Sequence, residues 1–175
     1  MSKPICRRCN KLGYEFETRA GVRIMERKLS EQVNFSINSV GDVESAWQCG
    51  LATALAMGFS LADADKIAVL ISELGQNIRR YVGQGSIILT TYTGADRCVE
   101  IIAPDQGAGI PDVAQVLTDG YSISGGMGLG VSGSRQLMDE FELESVAGKG
   151  TTIRAYCSKA TGGQPEHGIG KYADF

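Results

Sequence analysis

Between residues 105 and 133 the chain places glycine at positions 107, 109, 120, 125, 126, 128, 130 and 133. A stretch so poor in Cβ atoms gains little from regular structure, because each glycine loses more backbone freedom on ordering than any other residue. Only residues 113–118 offer a short helical turn. The stretch therefore reads as a long loop, and a long loop in a short chain is held by a rigid scaffold and carries function. The scaffold is legible on both sides of it. Residues 31–40 alternate Val33, Phe35 and Ile37 with Asn34, Ser36 and Asn38, the period of a half-buried strand. Asp42 is placed to cap a helix running to about Met57. Ser60 is placed to cap a second helix, in which Ile67, Ile71, Leu74, Ile78 and Tyr81 recur every three or four residues. Gly58 separates these helices, and Gly83 and Gly85 end the second. Two β-rich runs, 86–93 and 98–103, flank the turn residues Gly94, Ala95 and Asp96 and predict a hairpin. Past the loop, a helix over 132–141 leads into strands at 142–146 and 151–157, joined by Gly148-Lys149-Gly150.

The ends differ from this middle. Residues 1–30 are polar and basic, with Arg7, Arg8, Arg19, Arg23, Arg27, Lys3, Lys11 and Lys28, and lack a sustained period apart from one short strand near 22–25. Residues 160–175 are Gly-rich and poor in large aliphatics, the composition of a mobile tail. At 175 residues and 43% hydrophobic content, the chain supports one domain with its own core, expected over 31–159. A net charge of -3 gives no uniformly basic surface, so no nucleic-acid partner is expected. The longest largely apolar run, 50–59, is well short of the roughly 20 residues that cross a bilayer, and the N-terminus has no apolar signal core. No membrane association is expected, and the expected location is cytoplasmic. Cys49, Cys98 and Cys157 sit within apolar or regularly patterned segments, which suits reduced, buried thiols. Cys6-Arg7-Arg8-Cys9 has zinc-knuckle spacing but supplies two thiolates where a structural zinc takes four ligands, and reads as a surface pair.

Three constellations carry chemistry. Glu73 and Asn77, four residues apart in ISELGQNIRRY, share a helix face beside Leu74 and Ile78, with Arg80 one turn on. An amide oxygen is a hard ligand suited to Mg²⁺, and a neighbouring carboxylate can take a proton from an attacking hydroxyl. The plainer reading of such a pair is a solvated helix edge. Next, Asp105 stands at a strand end, followed by Gln106-Gly107-Ala108-Gly109-Ile110-Pro111. Its carboxylate can accept from an exocyclic amine such as adenine's, while Gly107 and Gly109 let the backbone approach a flat ring. The alternative is an ordinary tight turn. Finally, the run from Gly125 to Gly133 opens a helix whose exposed N–H groups suit a polyphosphate. Its GLGVSG formally matches a dinucleotide fingerprint, but a long loop precedes it and a turn lies where the next strand's acidic residue belongs. GKGT also lacks the ending of a Walker A loop.

In order, E-L-x-x-N, D-x-G-x-G-I-P, G-x-G-L-G before a helix and G-K-G-T resemble the four nucleotide-binding boxes of the GHKL ATPases. The longer strings ISELGQNIRRYVGQG, IIAPDQGAGIPDVAQVLTDGYSISGGMGLG and LMDEFELESVAGKGT resemble the RsbT-type switch kinases of bacterial stressosomes, over about residues 32–158. The resemblance implies a Bergerat fold: a two-layer α/β (α+β) sandwich whose mixed, mostly antiparallel sheet is covered on one face by helices, with ATP between the helices and a glycine-rich lid. It implies that Asn77 holds Mg²⁺, that Glu73 is base or orienting carboxylate, and that Asp105 recognises the adenine amine. Gly107 and Gly109 would lie along the base, and residues 112–127 would form the lid. Gly126, Gly128 and Gly130 would meet the phosphates through their backbone, with Ser124, Gly125 and Leu129 completing that wall. Thr151 would assist Asp105 through a water, and Arg80 is a candidate phosphate contact. Pro104, the first 30 residues and the tail depart from the pattern without removing an expected ligand of ATP.

The activity implied is ATP-dependent phosphorylation of a Ser or Thr on a STAS-domain protein, followed by release and activation of a partner phosphatase. Two alternatives share the fold. One is an anti-sigma kinase of the RsbW kind, a sigma-pathway regulator that also sequesters a sigma factor; the other is a partner-exchanging module that holds ATP and hardly uses it. A sensor histidine kinase fits less well, since no phosphoacceptor helix precedes the domain and the lone His167 lies in the tail.

Overall fold

The strand predicted from the Val33, Phe35 and Ile37 alternation pairs from Glu31 to Ile37 with the first arm of the predicted hairpin. This computed structural model describes residues 6–10, 13–18, 21–25, 27–94, 96–113 and 130–160. Its elements run β1 (Cys6–Asn10), β2 (Gly13–Thr18), β3 (Gly21–Met25), β4 (Arg27–Ile37), α1 (Val40–Ala56), α2 (Leu61–Tyr81), β5 (Gly85–Gly94), β6 (Asp96–Pro104), α3 (Gly130–Leu137), β7 (Glu140–Val146) and β8 (Gly150–Ala160). A five-stranded sheet of order β4-β5-β6-β8-β7 is antiparallel throughout, and β1-β2-β3 form a separate antiparallel sheet. The two-layer α+β architecture expected from the resemblance is present.

Strand alternation puts Ile37, Ile87, Leu89, Val99, Ile101, Ala103, Ile153 and Ala155 on one face of the large sheet. The helices meet that face with Val43, Ala46 and Ala54 of α1 and with Ile67, Leu70, Ile71, Leu74 and Ile78 of α2. Each large aliphatic side chain removed from water there contributes about 1.5–3 kcal/mol. The helices cross closely because Gly75 presents no side chain to Val43: a Cβ on Gly75 would stand 2.9 Å from Val43 Cγ1. The opposite face has a polar centre. Buried Glu100 accepts hydrogen bonds from Tyr92 Oη at 2.7 Å and Tyr156 Oη at 2.8 Å, and Arg154 Nε lies 3.5 Å from its carboxylate.

Capping fixes both helix starts. Ser39, not Asp42, is the N-cap of α1. Asp42 occupies the third helical position, where its carboxylate accepts from the Ser39 N–H at 2.7 Å while its own N–H donates to Ser39 Oγ at 3.2 Å. The two residues share the capping task, which is why either looks like the cap in sequence. Ser60 caps α2 as expected. The last turn of α1 has no basic residue, so two cations from the sheet serve its C-terminus: Arg97 Nη1 donates to the Met57 carbonyl and Lys159 Nζ to the Gly58 carbonyl.

Several boundaries differ from expectation. Among the described residues before 26, three strands stand where the sequence indicates one; each is only five or six residues long, too short for alternation to stand out. The strand expected at 31–40 begins at Arg27 and ends at Ile37. Gly85 starts β5 instead of merely ending α2, and α3 is shorter and earlier than 132–141. The helical turn at 113–118, most of the lid and the tail lie outside the described residues.

Candidate functional site

The end of β6, the turn between β7 and β8, and the C-terminal half of α2 meet around Asp105. Asp105 follows β6 directly and its N–H donates to the Thr151 carbonyl at 2.8 Å. Its Oδ1 accepts from the Gly107 N–H at 2.8 Å and the Thr151 N–H at 3.1 Å. One oxygen is thus held by two backbone donors, while Oδ2 has no partner among the described residues and is free to accept. Gly85, bridged to Asp105, lies under Ile78 of α2, and Gly107 lies against Val82 just past that helix.

Two glycines are required where these backbones touch. Gly150, at φ 102°, would carry a Cβ 2.1 Å from the Asp105 carbonyl oxygen. Gly109, at φ 70°, would carry one 2.2 Å from the Val146 carbonyl oxygen. No side chain fits either place, and both backbone conformations disfavour L residues. The G-K-G-T turn and the D-x-G-x-G loop are therefore one packed unit. Gly148 N–H closes it further by donating to the Ala108 carbonyl at 2.7 Å.

Ser145 is the residue that sequence reasoning missed. It accepts from the Ile110 N–H at 2.8 Å, donates to the Gly150 carbonyl at 3.1 Å, and lies 2.9 Å from Thr151 Oγ1. The available signal is positional: on β7, Phe141 and Leu143 turn toward the core, and Ser145 is the polar residue continuing that row. Thr151 is buried at 9% exposure, its hydroxyl committed to Ser145 and its N–H to Asp105. This places it directly on the expected adenine-recognising aspartate.

On α2, Glu73 and Asn77 are half-buried and border the line of Leu70, Leu74 and Ile78, while Arg80 is exposed. Neither Glu73 nor Asn77 makes a hydrogen bond or ion pair among the described residues, although most half-buried polar side chains find a partner. One amide oxygen with a neighbouring carboxylate fits Mg²⁺, which keeps several waters and takes few protein oxygens. α3 packs against α2, and its first residue, Gly130, opens that helix. Ser124, Gly125, Gly126, Gly128 and Leu129 lie outside the described residues.

Residues 62–161 match the family model for the histidine kinase-, DNA gyrase B- and HSP90-like ATPases. The serine/threonine-protein kinase RsbT of Bacillus subtilis (strain 168) is 44% identical over 128 residues, which cover 73% of this chain and 96% of that protein. The crystal structure of the RsbU and RsbW domains of a Mycobacterium tuberculosis protein aligns with 78% of this chain at a TM-score of 0.50 and 15% identity, this chain spanning 35% of it. That likeness bears on the fold. With more than half of its length matched, and with Asp105, Gly109 and Gly150 packed as one unit beside α2, the chain belongs to the histidine kinase-, DNA gyrase B- and HSP90-like ATPases, the GHKL family.

Proposed function

We propose that this chain is an ATP-dependent serine/threonine protein kinase that phosphorylates a STAS-domain partner in the cytoplasm and works by exchanging partners, activating a phosphatase once released from its substrate. The observation that carries the nucleotide half of this reading is the Asp105 carboxylate, with Oδ1 fixed by two backbone N–H groups and Oδ2, which has no partner among the described residues, placed to accept the adenine amine. The likeness to the kinase RsbT across almost all of that protein supports the transfer half.

In this reading Glu73 accepts, or orients, the proton of the incoming Ser or Thr hydroxyl as its oxygen bonds to the γ-phosphorus and the bond to the β-phosphate oxygen breaks, with ADP leaving. The Asn77 amide oxygen would hold Mg²⁺, which supplies positive charge to the phosphate oxygens during transfer. Arg80 adds a cation at the exposed end of the same helix face, and the N–H groups opening α3 at Gly130, with the glycines before it, serve the polyphosphate.

The deciding experiment is transfer from labelled ATP to a STAS-domain protein, with phosphoamino-acid analysis of the product. Phosphoserine or phosphothreonine is expected, and Glu73→Gln should slow transfer by about 10²–10⁴-fold while leaving ATP affinity nearly unchanged. Asn77→Ala should impair MgATP binding and transfer together. A STAS partner that binds in an ATP-dependent way but stays unlabelled by the wild-type chain would shift the reading to a binding module.

A further inference from the structure

Gly107 is not among the glycines with a positive φ, so its missing side chain answers to space and not to a left-handed turn. A Cβ there would stand 2.7 Å from Val82 Cγ2, 3.5 Å from Val82 Cγ1 and 3.2 Å from Asp105 Oδ1. The room that a side chain at 107 would need is taken by Val82.

Val82 is poorly able to yield that room. It caps the C-terminus of α2, where its N–H and that of Gly83 both donate to the Ile78 carbonyl at 2.9 Å. Its branched side chain has a single torsion with few allowed settings, so both methyls follow the backbone. One turn earlier, Ile78 makes the matching contact: a Cβ on Gly85, the bridge partner of Asp105, would stand 2.8 Å from Ile78 Cγ2. The end of α2 therefore bears on two glycines around Asp105, through Ile78 on Gly85 and through Val82 on Gly107. The second of these matters for the carboxylate, because the Gly107 N–H donates to Asp105 Oδ1 at 2.8 Å and the Thr151 N–H at 3.1 Å.

We infer that Val82 is a positioning residue for nucleotide selection: by bearing on Gly107 it keeps that N–H on Asp105 Oδ1, and so sets the direction in which Oδ2 meets the base. This role rests on Asp105 accepting the adenine amine, and Val82 reaches the base only through the loop. With the contact removed, Gly107 can draw back, Oδ1 keeps the Thr151 N–H alone, and the carboxylate gains freedom to turn. Because α2 also carries Asn77, the same helix end fixes the spacing between the base-reading loop and the proposed metal ligand.

The test is calorimetry of the full-length chain with MgATP and with MgGTP, with circular dichroism as the check on folding. A wild-type preference for ATP that Asp105→Asn diminishes establishes the adenine reading first. Val82→Ala should then weaken MgATP about three- to tenfold, the worth of one oriented hydrogen bond, and change MgGTP by less than about two-fold with the dichroism unchanged. Val82→Ile, which keeps the branch, should retain the ATP preference. Gly107→Ala drives a methyl into Val82 and should also weaken MgATP; combining it with Val82→Ala should recover part of that loss, since the new methyl takes the vacated place. A double variant no better than Gly107→Ala, or equal weakening of both nucleotides by Val82→Ala, would overturn the role. A chain that prefers ATP through Asp105 yet keeps that preference in Val82→Ala overturns this role alone, whereas equal wild-type affinity for ATP and GTP removes the adenine reading and this role with it.

Discussion

Asp105 gives one carboxylate oxygen to two backbone N–H groups, while the other has no partner among the described residues, so the two sides of its carboxylate can be tested apart. In Asp105→Asn the amide oxygen can still accept from Gly107 and Thr151, but an NH₂ group then replaces the free acceptor and faces the adenine amine donor to donor. ATP affinity should fall at least about tenfold, some 1.4 kcal/mol, and the preference for ATP over GTP should shrink; calorimetry with both nucleotides reads this directly. Normal ATP binding by this variant would count against the adenine assignment. Ser145 gives a second test at the same scale. Ser145→Ala removes the acceptor of the Ile110 N–H and the donor to the Gly150 carbonyl, with an unmade bond costing about 1–3 kcal/mol. We expect ATP to bind several-fold to about a hundred-fold more weakly with the circular dichroism unchanged.

At the scale of elements, the two helix caps set a pH dependence. The N–H groups of Asn38 and Ser39, with the Ser39 hydroxyl, hold the Asp42 carboxyl below its ordinary 3.8; Lys66 and the Ser60 hydroxyl do the same for Asp63. A carboxyl whose folded value is depressed adds stability above its unfolded value and loses it as pH falls through the folded value. Thermal unfolding should therefore be insensitive to these groups from neutral pH down to about 5, with a decline once pH drops below the ordinary carboxylate range. Asp42→Asn/Asp63→Asn should flatten that acid limb, and an unchanged limb would remove the caps as its cause. The same elements show what the chain discloses by itself. A capping residue near each helix start, the three-to-four-residue period of α2 and two β-rich runs flanking a turn locate α1, α2 and the β5–β6 hairpin. The capping box is harder, since Ser39 and Asp42 exchange hydrogen bonds and each has a cap's chemistry. The role of Ser145 was hidden because it depends on partners at 110, 150 and 151, contacts that only the register of β7 with β8 creates. The short strands before residue 26 hold two or three residues per face, below what a periodic pattern needs. Asp105 and its glycines were legible as types and spacing; that Gly109 and Gly150 answer to neighbouring carbonyl oxygens was not.

For the whole molecule, the proposed nucleotide residues run from Glu73 to Thr151, and the small N-terminal sheet contributes none of them. Deleting residues 1–26 should therefore leave MgATP affinity within about two-fold by calorimetry, since sites without shared partners act nearly independently. A larger loss would tie the extension to the nucleotide site. The order β4-β5-β6-β8-β7 also leaves β7 as an outer strand, and its sequence presents Glu140, Glu142 and Glu144 on alternate residues of one face. An unpaired strand edge is an invitation for further strands to add, the route by which folded chains grow into fibrils and aggregates. A second β7 laid antiparallel beside the first would set one row of carboxylates against another, and like charges across a strand pair repel. Among the described residues no further strand pairs with that edge, and the row of glutamates disfavours the addition of a second copy there.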